Sequence, residues 1–296
     1  MKYNNGNAEI IIENDGSRVI EYEDTLLLDY PLNIDIRVST QCSFGLNPIT
    51  GKSFCSFCHE SATTDGNECD YDELKNKLDN LPIGIELAIG SNNLTDNLKA
   101  FLHWSKNKGY INNLTINQGH LHRDINKLNF LIKNNIISGL GISYRSELKW
   151  SITESILNYT NTVFHVIAGI DSIDEVIALR NRGVKKVLVL GEKDFGFNKG
   201  NVNLTTRKHK EWVWWVHKLF SIFDVVSFDN LALEQLRIKR FFTDEKWEVF
   251  NQRENSFYLN AVDKYFAPSS RSNEKKSWHG ITVKDYFNNL QMSKYS

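Results

Sequence analysis

Three of the chain's four cysteines, Cys42, Cys55 and Cys58, lie in one stretch, QCSFGLNPITGKSFCSFCHES, at residues 41–61. Twelve residues separate the first from the second, and Ser56-Phe57 separate the second from the third. Thiolates are soft ligands, and three in one loop suit zinc or an iron–sulfur cluster. Structural zinc wants a fourth protein ligand, which Cys69 or His59 would have to supply. A cluster held by three cysteines keeps one iron open for a substrate or cofactor. The insert between the first two cysteines carries Asn47-Pro48 and Thr50-Gly51, turn-forming pairs that can return Cys42 to the other two.

Composition sets the frame for this loop. The chain has 296 residues, 41% apolar and 24% charged, with a net charge of -1. That is ordinary globular composition, large enough for a core without disulfides. No overall basic field recruits extended nucleic acid, which is disfavoured as a partner. The opening residues, MKYNNGNAEIII, contain no signal-peptide apolar region. No apolar run approaches the roughly 20 residues a membrane span needs. The expectation is a soluble, cytoplasmic protein with no membrane partner. In a reducing compartment, clustered cysteines bind metal or do chemistry more often than they form disulfides.

The elements that must carry the loop alternate along the chain. EIIIE and RVIEYE flank Asn14-Asp15-Gly16, a tight-turn signal that predicts an N-terminal hairpin. From residue 33 strands and helices alternate for about six units. NIDIRVST, GIELAIG, NLTIN, ISGLGISY, TVFHVIAG and VKKVLVLG read as strands, and DVVSFDN closes the series. Helices are expected at 70–81, 94–109, 121–135, 150–160, 172–183 and 205–223. Asp70 and Ser172 are the expected N-caps, with Glu73 and Glu175 three residues on. The strands read as apolar on both faces, which predicts a parallel sheet covered by helices. Residues 231–296 break the rhythm: a short helix, a hairpin through KWEVFNQRENSFYLNAV, a polar loop and a last amphipathic helix. The cysteines follow the first parallel strand, at the edge where α/β folds place their active sites.

On these residues the chain resembles the radical S-adenosylmethionine (SAM) superfamily. Cys55-Ser56-Phe57-Cys58 matches that family's C-x-aromatic-C ending. Gly90-Ser91-Asn92 stands where the family has a glycine-rich loop against the methionine amino group. Asn117 ends the third strand. Ser143 and Arg145, at the end of the fourth, stand where polar side chains hold ribose and carboxylate. HVIAGIDS partly matches the fifth-strand G-x-I-x-G-x-x-E element: Ile167 and Gly169 fit it, while His165 and Ser172 do not. VLVLGEKDFG, with Leu190, looks like the sixth strand, whose backbone borders adenine. The chain departs from the common C-x3-C-x2-C spacing. Long-spaced variants exist in the superfamily, notably the 7-carboxy-7-deazaguanine synthases.

The resemblance implies an α/β fold: a partial (β/α)6 TIM-like barrel over 33–230, an N-terminal β-hairpin extension over 1–32 and a C-terminal α+β extension over 231–296. It implies a [4Fe–4S] cluster on Cys42, Cys55 and Cys58. SAM would be bound by Gly90, Ser91, Asn92, Asn117, Ser143, Arg145, Ile167 and Leu190. Reductive cleavage would give a 5′-deoxyadenosyl radical that takes hydrogen from a small-molecule, nucleoside or peptide substrate. The electron would come from an external flavodoxin- or ferredoxin-like donor.

Other readings stand beside this one. The same cysteines could hold zinc in a non-enzymatic module. A barrel enzyme using acid/base chemistry would draw on Asp171, Glu192, Asp194 and Asp229, whose spacing specifies nothing. Within the resemblance, deazapurine chemistry is suggested only by the long cysteine spacing. Cys69 reads as a bystander thiol and His165 as a satisfied core histidine. His59 reads equally as a SAM contact and as a plain loop residue. His120 and His122 could serve substrate or loop. Tyr144, Arg145, Lys193, Asp229 and Asn230 lie at predicted strand ends, within reach of a substrate. The EWVWWVHKLF stripe reads as helix packing, with Trp214 or Trp215 left to face a partner.

Overall fold

A computed structural model of the chain describes residues 1–13, 18–90, 93–148, 153–250 and 255–292. The chain begins with β1 (Lys2–Asn5), β2 (Ala8–Ile12) and β3 (Arg18–Tyr22). These form a three-stranded antiparallel sheet with its own small core of Tyr3, Ala8, Ile10 and Leu32. The expected β2–β3 pairing is present, and β1 is an unanticipated third strand. The Asn14-Asp15-Gly16 turn lies outside the described residues.

The main series follows in order. It runs β4 (Asn33–Arg37), β5 (Gln41–Leu46), α1 (Tyr71–Leu78), β6 (Glu86–Gly90), α2 (Asp96–Asn107), β7 (Ile111–Asn117), α3 (Gln118–Lys133) and β8 (Gly139–Ser143). It continues with α4 (Glu154–Leu157), β9 (Thr162–Ile167), α5 (Ile173–Ala178), β10 (Lys186–Leu190), α6 (Arg207–Trp215), α7 (Leu219–Ile222) and β11 (Val225–Phe228). The tail holds α8 (Asn230–Gln235), α9 (Asp244–Phe250), β12 (Ser256–Asn260), β13 (Tyr265–Ala267), β14 (Lys276–Ser277) and α10 (Val283–Met292). Local capping starts several helices. Asp70 accepts from the backbone of Asp72 and Glu73 at α1, and Ser172 forms a full capping box with Glu175 at α5. The long helix expected over 205–223 is interrupted by a 3-10 turn at Val216–Lys218. No helix among the described residues is long and apolar enough to cross a membrane.

The sheet is mixed α/β and ten-stranded, in the order β11-β10-β9-β8-β7-β6-β4-β12-β13-β14. Neighbours from β11 to β12 run parallel, and β13 and β14 turn antiparallel. The expected tail hairpin is absent. KWEVF forms α9, capped by Thr243, and SFYLN forms β12, which pairs in parallel with β4. Phe257, Tyr258, Leu259 and Asn260 of β12 are all buried, as in an interior parallel strand.

The two faces of the sheet differ, which corrects the expectation of strands apolar on both. Ile34, Ile36, Leu87, Ile89, Leu114 and Ile116 point to one face, where they join one core with residues of α2 and α3. The alternate positions, Asp35, Arg37, Ala88, Gly90, Asn113 and Thr115, line a cavity on the other face. Period-two alternation in the strands therefore separates a helix-covered core from a chamber that polar and apolar side chains line together.

Candidate functional site

The cysteine loop leaves the C-terminal end of β4 and doubles back. Asn47 organises the turn, its side-chain oxygen accepting from the backbone of Ile49 at 2.9 Å and Thr50 at 3.0 Å. The Gly51 N–H donates to the Asn47 carbonyl at 2.8 Å, and Phe54 N–H reaches the Phe44 carbonyl at 3.2 Å. The insert is thus a compact turn between β5, which carries Cys42, and the segment that carries Cys55 and Cys58. All three are free thiols; Cys42 and Cys55 are buried and Cys58 is half-buried. Burial pushes Cys42 up to about 11, reinforced by the nearby Cys55 and Cys58 and opposed by the Phe44 backbone N–H. Burial also raises Cys55, against the pull of Arg145, and Cys58, against the backbone N–H groups of Ala62 and Glu60.

Polar groups converge on the thiols. Arg145 Nη1 lies 3.9 Å and Asn117 Nδ2 4.0 Å from Cys55 Sγ, and His120 Nε2 lies 3.9 Å from Cys42 Sγ. Arg145 is fixed on three sides. Its guanidinium stacks 4.0 Å over Phe57, it pairs with Glu147 at 2.7 Å, and its backbone N–H donates to Gln118 Oε1 at 3.0 Å. Among the described residues, no three His, Cys, Asp or Glu side chains are grouped tightly enough to hold a metal ion. Cys69 is buried in the helix-side core, and burial takes its thiol up to about 12.

The cavity has a volume of about 1280 Å³. Cys55 and Cys58 line it, and so do Gly90, Asn117, Ser143, Arg145, Ile167 and Leu190. Six of the eight residues named from the sequence as cofactor contacts are thus brought to one chamber beside two of the thiols. The other two, Ser91 and Asn92, lie outside the described residues. Cys42 is not among the lining residues, and its Sγ lies 3.9 Å from His120 Nε2.

Several expectations are corrected. His120 sits in the first turn of α3, packed 5.0 Å from the Phe44 ring, and neither it nor His122 lines the cavity. His165 lines the chamber and is no satisfied core histidine; burial lowers it to about 4. Gly141 makes the room, since a Cβ there would fall 2.6 Å from the His165 ring. Asp229 caps α8 and accepts from the Gly191 N–H at 2.9 Å, so it is a structural tie. Asp171 accepts from Ser146 N–H, and none of Asp171, Glu192, Asp194 and Asp229 lines the cavity. Of the tryptophan stripe, Trp212 is fully buried while Trp214 is 72% exposed.

The sequence reading missed a chain of charges that ties the cysteine loop to the sheet. Arg37 Nε lies 2.9 Å from Glu60, Glu60 lies 3.0 Å from His59 Nε2, and Lys193 Nζ lies 3.3 Å from the same His59 nitrogen. Arg37 also donates to the Glu60 carbonyl. Burial opposes the Glu60 charge, but His59, Arg37 and Lys193 outweigh it and hold the carboxyl down to about 2. Burial, aided by Lys193, lowers His59. The loop after β10 closes on the same segment: the Phe197 N–H donates to the Cys58 carbonyl at 3.0 Å. Gly196 has φ +64, and a Cβ there would lie 2.2 Å from the His59 carbonyl oxygen. The signal available in the sequence was NIDIR, where polar residues occupy alternate positions of a strand otherwise read as core.

No family model matches the sequence, and no curated protein matches it. Among solved structures the fold is similar to that of Streptococcus suis SuiB bound to S-adenosylmethionine. The TM-score is 0.54 at 12% identity, over 88% of this chain and 64% of that one. The chain therefore spans less than two thirds of SuiB's length.

Proposed function

We propose that the chain is a radical SAM enzyme. The observation that carries the reading is the meeting of two loop thiols with Gly90, Asn117, Ser143, Arg145, Ile167 and Leu190 around one chamber. The likeness of the fold to a SAM-bound structure supports it. We read the sheet as a partial barrel over 33–230, because side chains from neighbouring strands β12 through β11 line a single cavity. Residues 1–32 and 231–296 are extensions on that unit, the second contributing β12 to the sheet.

The donor set fits an iron–sulfur cluster. Cys42, Cys55 and Cys58 offer three soft sulfurs, coupled electrostatically but held apart. A four-iron cluster is wider than a single ion, so its thiolates need not close on one point. A [4Fe–4S] cluster held there by Cys42, Cys55 and Cys58 would supply the electron for reductive cleavage of SAM. The chain's own residues do the positioning. Arg145 and Asn117 present N–H donors toward Cys55, which favours its thiolate and stabilises negative charge there. Ser143 and Arg145 would offer polar groups to ribose and carboxylate, and the strand carrying Leu190 would border adenine.

Metal analysis with electron paramagnetic resonance after anaerobic reconstitution tests the cluster. The expected result is a four-iron signal that shifts on adding SAM and is lost in Cys42→Ala, Cys55→Ala and Cys58→Ala. Stoichiometric zinc, with no iron retained after reconstitution, would overturn the reading.

A further inference from the structure

Trp214, Trp215, Phe220, Val225 and Phe241 are between 38% and 72% exposed. They come from α6, α7, the start of β11 and a 3-10 turn at Ile238–Phe241. Most of their rings are joined. Centroids lie 6.2 Å apart from Trp215 to His217, 5.9 Å from His217 to Phe241, 6.3 Å from Phe241 to Phe220 and 5.9 Å from Phe220 to Phe228 of β11. Single apolar side chains on a surface need no explanation, but a contiguous tract of them marks an interaction site.

The tract leads to an open sheet edge. β11 is the last strand of its sheet; it pairs with β10 on one side, and no described strand pairs with its other side. Such an edge is a template for one more strand. An added strand would turn alternate side chains to the face that carries Phe228, toward Phe220 and Phe241. Trp215 to Phe220 run directly up to the start of β11, so the tract lies toward the N-terminal ends of the strands. The cysteines lie at the opposite ends.

Charge selects the partner. Lys218 Nζ lies 3.9 Å over the Trp215 ring, and the Arg240 guanidinium 4.6 Å over Phe241. Neither forms an ion pair among the described residues, and Arg240 donates to the Val213 carbonyl. The carboxylates nearest to them in sequence are already taken. Glu211 pairs with Arg207 at 2.7 Å, Asp224 with Arg180 at 3.0 Å and Asp244 with Lys239 at 3.1 Å. On a chain of net charge -1, two cations on exposed rings are left to meet an anionic partner.

We propose that the aromatic tract and the free edge of β11 dock an extended acidic segment of a partner polypeptide. The segment adds a strand to β11, rests apolar side chains on Phe220 and Phe241, and brings carboxylates to Lys218 and Arg240. This surface is separate from the cysteine site, and the inference does not depend on the cofactor reading.

Fluorescence anisotropy with the full chain tests it, using a labelled octapeptide that alternates glutamate and valine beside one that alternates lysine and valine. The acidic peptide should bind at least about fivefold more tightly, the scale of two exposed ion pairs. The difference should shrink as salt is raised. Lys218→Glu, a change at an exposed side chain, should remove most of the preference. The bound acidic peptide should slow amide hydrogen exchange in Val225–Phe228, which attraction by charge alone would not do. No binding of the acidic peptide, equal binding of the two, a preference that survives Lys218→Glu, or unprotected β11 amides would each overturn the proposal. Tighter binding of a labelled oligouridylate would make the surface a nucleic-acid site instead. A dimer in sedimentation that Trp215→Ser disperses would give the face to a second copy, and either result also overturns the proposal.

Discussion

The guanidinium of Arg145 lies 4.0 Å from the ring centroid of Phe57, the aromatic residue between Cys55 and Cys58. The aromatic position of the cysteine motif is thereby a shelf for the cation that faces Cys55. Stacking and charge act together here, and a lysine would keep only the charge.

Phe57→Leu and Arg145→Lys should each lower stability by about 1–2 kcal/mol, between the exposed and desolvated limits of a cation–π contact. Urea unfolding of the full chain reads this. The double variant should lose less than the sum of the two, because both remove one interaction. Strict additivity would show that the stack carries no energy of its own.

Asp35 predicts an unusual pH dependence. Burial raises its carboxyl to about 6, against the opposing pull of Lys193. The folded protein then holds the proton more tightly than the unfolded chain. Stability falls as pH rises from the unfolded value near 3.8 through about 6, and is level above that. Asp35→Asn removes the penalty. Water in the cavity screens part of it, so the expected gain at neutral pH is about 1 kcal/mol, vanishing near pH 3.8. A variant less stable than wild type at neutral pH would contradict this.

Gly196 should be intolerant of any side chain. Its positive φ and the 2.2 Å approach of a Cβ to the His59 carbonyl leave no room without moving the cysteine loop. Gly196→Ala should cost about 1–3 kcal/mol. It should also speed alkylation of Cys58 in metal-free protein, since the Phe197–Cys58 backbone bond would open. Unchanged labelling would separate the two loops.

Leu259 tests the place of β12. It is fully buried on a strand paired with β4. Leu259→Ala should cost about 2–5 kcal/mol if β12 is interior, measured by the shift in urea midpoint. A loss below about 0.5 kcal/mol, typical of a surface position, would return this segment to the peripheral hairpin read from the sequence.

Much of this was written locally. Asp70 and Ser172 announced their helices because a cap acts within three residues of itself. The strand rhythm from NIDIR to DVVSF survives because each element needs only its own apolar stripe. What failed was non-local. SFYLN sits beside β4 through pairing with the other end of the chain, which no local pattern specifies. The chamber was hidden because apolar residues at alternate positions look alike whether the other face is core or cavity. The Arg37–Glu60–His59–Lys193 chain joins three segments, and only the fold brings them together. The turn in the cysteine loop was legible because it is self-contained, organised by Asn47.

The central claim is tested most directly by SAM cleavage. Protein reconstituted anaerobically with iron and sulfide is given SAM and dithionite, and 5′-deoxyadenosine is quantified by mass spectrometry beside the Cys55→Ala variant. The account predicts product from wild type and none from the variant. Equal product from both, or none from a wild-type chain shown to carry its cluster, would contradict it.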